Sequence, residues 1–154
     1  MRTLDAWFDR YGNDHRHPVN RTIHWVCVPL LLWSVIALLW ALPVPSMIGR
    51  NGLWAAVVMF FAFNFYWRLS RRMGLAMLIV LVLLGGLTEI LYRPLGAVAL
   101  AKLAGIVFLA TWLGQFIGHT IEGRQPSFLT HLTYLLIGPA WFLSKLLRYV
   151  GLNG

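Results

Sequence analysis

The histidines of this chain are concentrated in or beside two short segments that could hold a metal ion. His15, His17 and His24 lie in HRHPVNRTIH near the amino terminus, and His119 lies in QFIGHTIEGRQPSF, with His131 shortly after it. Neutral imidazole is a common ligand for zinc, iron and copper. The two segments therefore predict a metal site, provided that the fold brings them together.

Helical spacing places a carboxylate beside the histidine of the second segment. On a helix with ~3.6 residues per turn, Gln115, His119 and Glu122 fall three or four positions apart and share one face. Two histidines and one carboxylate with open positions suit non-haem Fe(II) and oxygen. Glu122 would then either complete the ligand set or orient a ligand. The candidate nitrogen ligands are His15, His17, His24 and His119.

Each histidine also has an interpretation that needs no metal. His17 precedes Pro18 and could simply cap the start of a helix, and His131 could serve as a hydrogen-bonding side chain. His24 and His119 lie at the ends of apolar runs, where isolated histidines are commonly interfacial side chains. The residue pattern alone leaves both interpretations open.

Composition indicates an integral membrane protein of one domain, residues 1–154. The chain is 59% hydrophobic and 12% charged, with a mean hydropathy of +0.69. Its net charge of +8 is spread beside apolar runs rather than gathered in one basic tract, which argues against nucleic-acid binding and favours lipid headgroup contact. The single cysteine, Cys27, excludes an intramolecular disulfide.

Hydrophobic periodicity predicts an all-α, polytopic membrane bundle of about five transmembrane helices. An amphipathic interfacial segment is expected at 1–17. The predicted spans are about 21–42, 53–67, 74–91, 95–118 and 128–150. In the fourth span, Gly114 and Gly118 form a small-xxx-small pair that would let a neighbouring backbone approach closely. Glu89 and Arg93 have the spacing of a helical ion pair.

The distribution of basic residues predicts a cytoplasmic amino terminus. With that orientation eight of the 13 basic side chains fall on the inside and five on the outside. Four spans separate the two histidine segments, so both are expected on the same, cytoplasmic face of the membrane.

HRHPVNRTIHWVCVP and QFIGHTIEGRQPSF, followed by LLIGPAW, resemble the membrane-bound 2-hydroxy fatty acid dioxygenases, the Mpo-like, YGL-type membrane family. The resemblance covers nearly the whole chain, and the H-x-x-E-G and P-S-F form is similar to its bacterial branch. It implies an Fe(II)-dependent α-oxidation in which O2 cleaves the C1–C2 bond of a 2-hydroxy fatty acid, giving an acid one carbon shorter. It also implies a multi-pass protein of the bacterial inner membrane.

The resemblance assigns the iron to histidines of the two motifs, His15, His24 and His119. Asn20, Gln115 and Glu122 stand at further motif positions and are candidates for catalytic roles. The chain departs from the family at His17, where asparagine is common, and at His131, where bacterial relatives often have aspartate. Fungal members have one more residue between the histidine and glutamate of the second motif, which argues against this glutamate as a fixed ligand.

The expected substrate is a long-chain acid with its tail in the lipid and its carboxylate at the interface. A guanidinium group pairs with a carboxylate through two parallel hydrogen bonds. The candidate arginines are Arg16, Arg21 and Arg124.

Two other functions compete with the dioxygenase. One is a haem protein in which His24 and His119 are the axial ligands. The other is a non-catalytic membrane scaffold that binds or transports lipid, with its histidines merely interfacial. Metal content separates the scaffold from both enzymatic hypotheses.

Overall fold

Four helices make up the fold that the structure describes. The computed structural model describes residues 6, 8, 9, 12, 17–123 and 133–149. Within those residues the helices are α1 (Pro18–Ala41), α2 (Leu53–Leu69), α3 (Arg71–Glu122) and α4 (Thr133–Tyr149). The predicted all-α class is confirmed.

The bounds of α1 follow from its prolines and its cap. Pro18 occupies the first helical turn, where a residue without a backbone N–H costs nothing. His17 precedes it as the N-cap, with Nδ1 accepting a hydrogen bond from the Val19 N–H at 3.3 Å. The helix ends at Ala41, shortly before Pro43 and Pro45. The start and the end of α1 can thus be predicted from the prolines in the sequence.

The long helix α3 consists of two arms that meet at Gly96. Gly96 has φ 71° and ψ 176°, a conformation open to glycine and not to residues with a side chain. Leu84 and Val107, on opposite sides of Gly96, pack in one apolar cluster with Trp33 of α1. In a straight helix they would be about 34 Å apart at 1.5 Å per residue. The arms therefore fold back on each other, and they correspond to the predicted runs 74–91 and 95–118.

Two of the described helices are long and apolar enough to cross a membrane. They are α1, with 24 residues, and α3, with 52 residues divided at Gly96. α2 is apolar but shorter, and α4 has 17 residues, fewer than the ~20 of a typical span. Five spans, and the crossing of 128–150 in particular, remain predictions, as does the side of the membrane that the histidines face.

α4 packs at the end of the bundle where α1 begins. The Tyr66 hydroxyl, near the end of α2, donates to the Leu136 carbonyl oxygen at 2.7 Å. The apolar cluster at this end comprises Phe8, Tyr66, Met73, Met77, Ile137, Ala140, Trp141 and Leu143. Phe8 belongs to the predicted interfacial segment 1–17, most of which lies outside the described residues. α4 thus packs against the end of α2 and the start of α3, and its Phe142 contacts Trp25 of α1.

The predicted glycine pair lies at a close contact between α1 and α3. A side-chain carbon added at Gly114 would lie 3.0 Å from the Cys27 Sγ, and one added at Gly118 would overlap the Asn20 Oδ1. Small residues at such positions allow two helix backbones to come together. The Glu89–Arg93 ion pair is also present, with Arg93 Nε 3.1 Å from Glu89 Oε1.

We expect Gly118→Ala to destabilise the protein, because the new methyl group must displace the buried Asn20 side chain. Overpacking of this kind costs about 1–3 kcal/mol. Gly105→Ala is the matched control, since Gly105 lies in the same arm with open space around it and should be neutral or more stable by up to ~1 kcal/mol. Thermal unfolding in a neutral detergent measures both. Equal midpoints for the two variants would contradict the close packing at Gly118.

Candidate metal and substrate site

The structure brings the two histidine segments into direct contact. His24 of α1 and His119 of α3 have their ring centroids 5.0 Å apart, with an interplanar angle of 86°. Both side chains are almost completely buried, His24 being 3% exposed and His119 2% exposed. Burying two imidazoles in an apolar bundle is unfavourable unless their nitrogen atoms are used. The pair is therefore the centre of the candidate site.

A hydrogen bond fixes the tautomer of His24. Its Nδ1 lies 3.0 Å from the backbone carbonyl oxygen of Asn20, and a carbonyl oxygen can only accept. Nδ1 therefore carries the proton, and Nε2 is the nitrogen with the lone pair. Metal-bound histidines commonly donate their other N–H to a backbone carbonyl in this way. The hydrogen bonding of His24 therefore fits that of a metal ligand, with Nε2 as the ligating nitrogen.

Glu122 ties the end of α3 to the start of α1. Its Oε2 accepts hydrogen bonds from the His17 backbone N–H at 2.8 Å and from the Asn20 Nδ2 at 3.1 Å. The negative charge also lies at the amino-terminal end of α1, where the helix dipole favours it. Asn20 is completely buried. Glu122 thus positions Asn20, whose carbonyl orients His24.

Gln115 adds a buried hydrogen-bond donor to the site. It precedes His119 by one helical turn and is 7% exposed. Its Nε2 has no hydrogen-bond partner within the part of the chain that the structure describes. A buried donor without a partner costs about 1–3 kcal/mol. Such a group is well suited to bind an oxygen of a ligand.

A long cavity leads away from the two histidines. It has a volume of about 270 Å³ and is lined by all four helices. His24, Gln115 and His119 contribute the polar side of the lining near the start of α1. Further along, the lining is apolar and includes Leu39 and Ala55. From His24 to Leu39, α1 rises about 22 Å at 1.5 Å per residue.

The predicted site residues fall into three groups. Asn20, His24, Gln115, His119 and Glu122 come together in one network and its cavity. His17 is exposed and Arg21 lines a separate groove. His15, Arg16, Arg124 and His131 lie outside the described residues.

The described part of the chain does not by itself assemble a three-ligand metal centre. Across residues 17–123 and 133–149, no three His, Cys, Asp or Glu side chains are grouped closely enough to hold a metal ion. His24 and His119 provide two nitrogen ligands, while Glu122 is engaged with the start of α1. Metal binding therefore remains a prediction, and His15 is its proposed third ligand.

Sequence reasoning missed the apolar lining of the cavity. The missed residues include Ala55, Val58, Met59 and Ala62 of α2, Phe108 of α3, and Leu136 and Pro139 of α4. A partial signal existed in α2, where Ala55 and Ala62 are seven positions apart and so lie on one face of the helix. Small residues on one face of an otherwise bulky helix leave space beside it.

One comparison with known proteins finds a match. A family model described as 2-hydroxy-palmitic acid dioxygenase Mpo1-like matches residues 1–150. No curated protein matches the chain, and no solved structure matches it.

We expect Glu122→Ala to destabilise the protein by about 1–3 kcal/mol, because two hydrogen bonds to a charged acceptor are lost. Glu122→Gln is the matched variant, since its amide oxygen can still accept both bonds, and it should lose less than half as much. Thermal unfolding of the two variants gives the comparison. An alanine variant as stable as the unmodified chain would rule out the positioning role.

Proposed function

Because the chain belongs to the 2-hydroxy-palmitic acid dioxygenase Mpo1-like family, we propose that it is an Fe(II)-dependent dioxygenase that cleaves the C1–C2 bond of 2-hydroxy fatty acids. The observation that carries the proposal is the buried His24–His119 pair at the polar end of a long apolar cavity. A buried histidine pair suits a metal, and an apolar cavity suits an acyl chain.

The cavity has the character that a long-chain fatty acid requires. Its extent along α1, about 22 Å at 1.5 Å per residue, exceeds the ~15 Å depth of one leaflet, half of a hydrocarbon core ~30 Å thick. The apolar lining would hold the acyl tail by the hydrophobic effect. The carboxylate and the 2-hydroxyl would then lie beside His24, Gln115 and His119, where the lining is polar.

Gln115 is the described residue best placed to orient the reacting end of the substrate. Its buried Nε2 would donate a hydrogen bond to the carboxylate or to the 2-hydroxyl oxygen. A site built with such a donor discriminates strongly against a substrate that lacks the matching oxygen. Arg16 and Arg124 are the proposed cationic partners of the carboxylate, because each lies within one of the two histidine segments. Arg21 is less suited, since it lines the other groove.

His24 and His119, together with His15, are the proposed iron ligands. The Nδ1–H of His24 is held by the Asn20 carbonyl, which leaves Nε2 as the ligating nitrogen. Glu122 would act through Asn20 as a positioning residue. When bound there, Fe(II) would supply the activation of O2 that carbon–carbon cleavage requires.

The proposed reaction balances without a further reductant. The C1–C2 bond of the 2-hydroxy acid breaks, and C2 becomes the carboxyl carbon of an acid one carbon shorter. C1 leaves as CO2, and the two remaining hydrogen atoms leave in one molecule of water. O2 is the oxidant, and both of its oxygen atoms appear in these products. Burial of the two histidines would keep bulk water away from the reacting atoms.

The haem alternative is disfavoured by the contact between the rings. Axial ligands on opposite faces of a porphyrin must be separated by the flat macrocycle, whereas His24 and His119 meet edge to face at 5.0 Å. The scaffold alternative gives no reason for placing two buried histidines together at the polar end of an apolar cavity.

We also propose that the chain is a multi-pass protein of the bacterial inner membrane with its amino terminus and both histidine motifs on the cytoplasmic side. Two helices suited to cross a membrane support a membrane location. The excess of arginine on the inward segments supports the orientation.

We expect His24→Ala and His119→Ala each to lower the iron content of the purified protein at least about tenfold. Loss of a group that only orients a metal ligand already lowers metal affinity by about this factor, so loss of the ligand itself should lower it at least as much. Conversion of a 2-hydroxy fatty acid to the acid one carbon shorter should be lost in parallel. Thr111→Val is a control for general damage, because Thr111 is buried two turns earlier in the same arm and bonds only to its own helix.

Iron per chain, measured by elemental analysis, and product, measured by mass spectrometry, decide this test. Retained iron and activity in both histidine variants would refute the assignment.

We expect Ala62→Phe to shorten the acyl chain that the enzyme accepts, because Ala62 lines the cavity and the ring would fill part of it. Ala55→Phe, two turns further from the histidines, should exclude only the longer chains. Ala56→Phe is the matched control, since Ala56 is exposed and is not part of the lining. Turnover of 2-hydroxy acids of increasing length gives the profile. An unchanged length profile in Ala62→Phe would show that the tail lies elsewhere.

A further inference from the structure

A second concavity lies between α1 and α4, at the end of the bundle that carries the histidines. It has a volume of about 700 Å³ and is open to the surface. Its lining combines cations and aromatic rings: Arg21, Lys145, Arg148, Trp25, Trp141 and Tyr149. We refer to this feature as the basic groove. None of these residues lines the cavity beside His24.

The floor of the basic groove is fixed by aromatic packing. Trp25 of α1 meets Phe142 of α4 edge to face, with ring centroids 4.7 Å apart. Trp141 is 6% exposed, and the Lys145 Nζ lies 5.5 Å from the centre of its ring. A cation over an indole ring is held by the electrostatic field of the ring. The groove is therefore a formed feature of the helix packing.

Among the residues that the structure describes, no acidic side chain pairs with the three cations of the basic groove. Neither Arg21, Lys145 nor Arg148 forms an ion pair within the described chain, whereas Arg93 does so with Glu89. Three positive charges around one concavity repel each other in the absence of an anion. Arginine and lysine side chains are the usual partners of phosphate groups. The charge pattern thus favours a phosphate-bearing ligand.

The surroundings of the basic groove favour a phospholipid over a free anion. Val26 and Leu30 follow Trp25 along α1 and are exposed, at 58% and 43%. Tryptophan and tyrosine are enriched at the level of lipid headgroups. A ligand with a phosphate at the groove would therefore have apolar helix surface next to it for its acyl chains.

We propose that the basic groove is a binding site for the headgroup of an anionic phospholipid. The phosphate would lie among Arg21, Lys145 and Arg148, and the acyl chains would follow the exposed apolar side of α1. This site is separate from the proposed dioxygenase centre and depends only on the membrane location of the chain.

The test is the retention of phosphatidylglycerol by the full-length chain, purified in a neutral detergent and measured by native mass spectrometry during a lipid titration. Phosphatidylcholine and inorganic phosphate serve as comparison ligands. We expect one phosphatidylglycerol to be retained in preference to phosphatidylcholine. The double variant Lys145→Gln/Arg148→Gln should weaken its binding at least about tenfold, from the contribution of each cation near anionic lipid.

Arg71→Gln/Arg72→Gln is the matched control. It removes two exposed arginines from the start of α3, at the same end of the bundle and outside the groove, and should change affinity by less than about twofold. Arg148→Gln alone keeps Lys145 over the Trp141 ring, so weaker lipid binding in this variant cannot be attributed to loss of that packing. Equal weakening in both double variants, equal retention of phosphatidylcholine, or displacement by inorganic phosphate would each overturn the proposal.

Discussion

The structure depends on the close contact between the start of α1 and the end of α3. Gly114 and Gly118 present no side chain there, so Cys27 and Asn20 of α1 can lie directly against the α3 backbone. Glu122 then reaches the His17 backbone N–H and the Asn20 amide. Steric fit alone would allow the helices to slide along each other, whereas these directional bonds set one register. That register brings His24 opposite His119.

The energetic cost of the site explains why the contact has to be so specific. Asn20, His24, Gln115 and His119 are all buried in a chain that is 59% hydrophobic. Polar groups that leave water without partners lose several kcal/mol each on transfer to an apolar medium. A bundle selected for packing alone would place apolar side chains at these positions. Within the described residues the Gln115 Nε2 has no hydrogen-bond partner, and a ligand in the cavity would offset the cost of burying it.

Much of the fold could be predicted because its signals are local. Pro18 and Pro43 bracket α1, and the Gly114–Gly118 pair indicates a close helix contact. The basic groove and the cavity could not be predicted in this way, because their walls come from helices far apart in sequence. Periodicity identifies a helix face but not the neighbour that the face meets.

The roles of individual site residues also depend on how the helices pack, and so could not be predicted from the sequence. Glu122 shares a helix face with His119, which makes it resemble a ligand in the sequence. Only the folded chain places the amino-terminal end of α1 within reach of its carboxylate. Arg21 illustrates the converse, since it is three residues from His24 yet lines a different concavity.

The cavity beside His24 and the basic groove are lined by residues on different sides of α1. Arg21 and Trp25 are four residues apart and lie on one side of α1, while His24 and Val28, also four apart, lie on another and line the cavity. The α1 backbone therefore separates the proposed lipid site from the proposed substrate site, and the two ligands would not compete for space. Any influence of one on the other must pass through the position of α1 itself. Because α1 supplies His24 as well as the apolar lining residues from Val28 to Leu39, a shift of α1 would move the histidine pair and the apolar lining together.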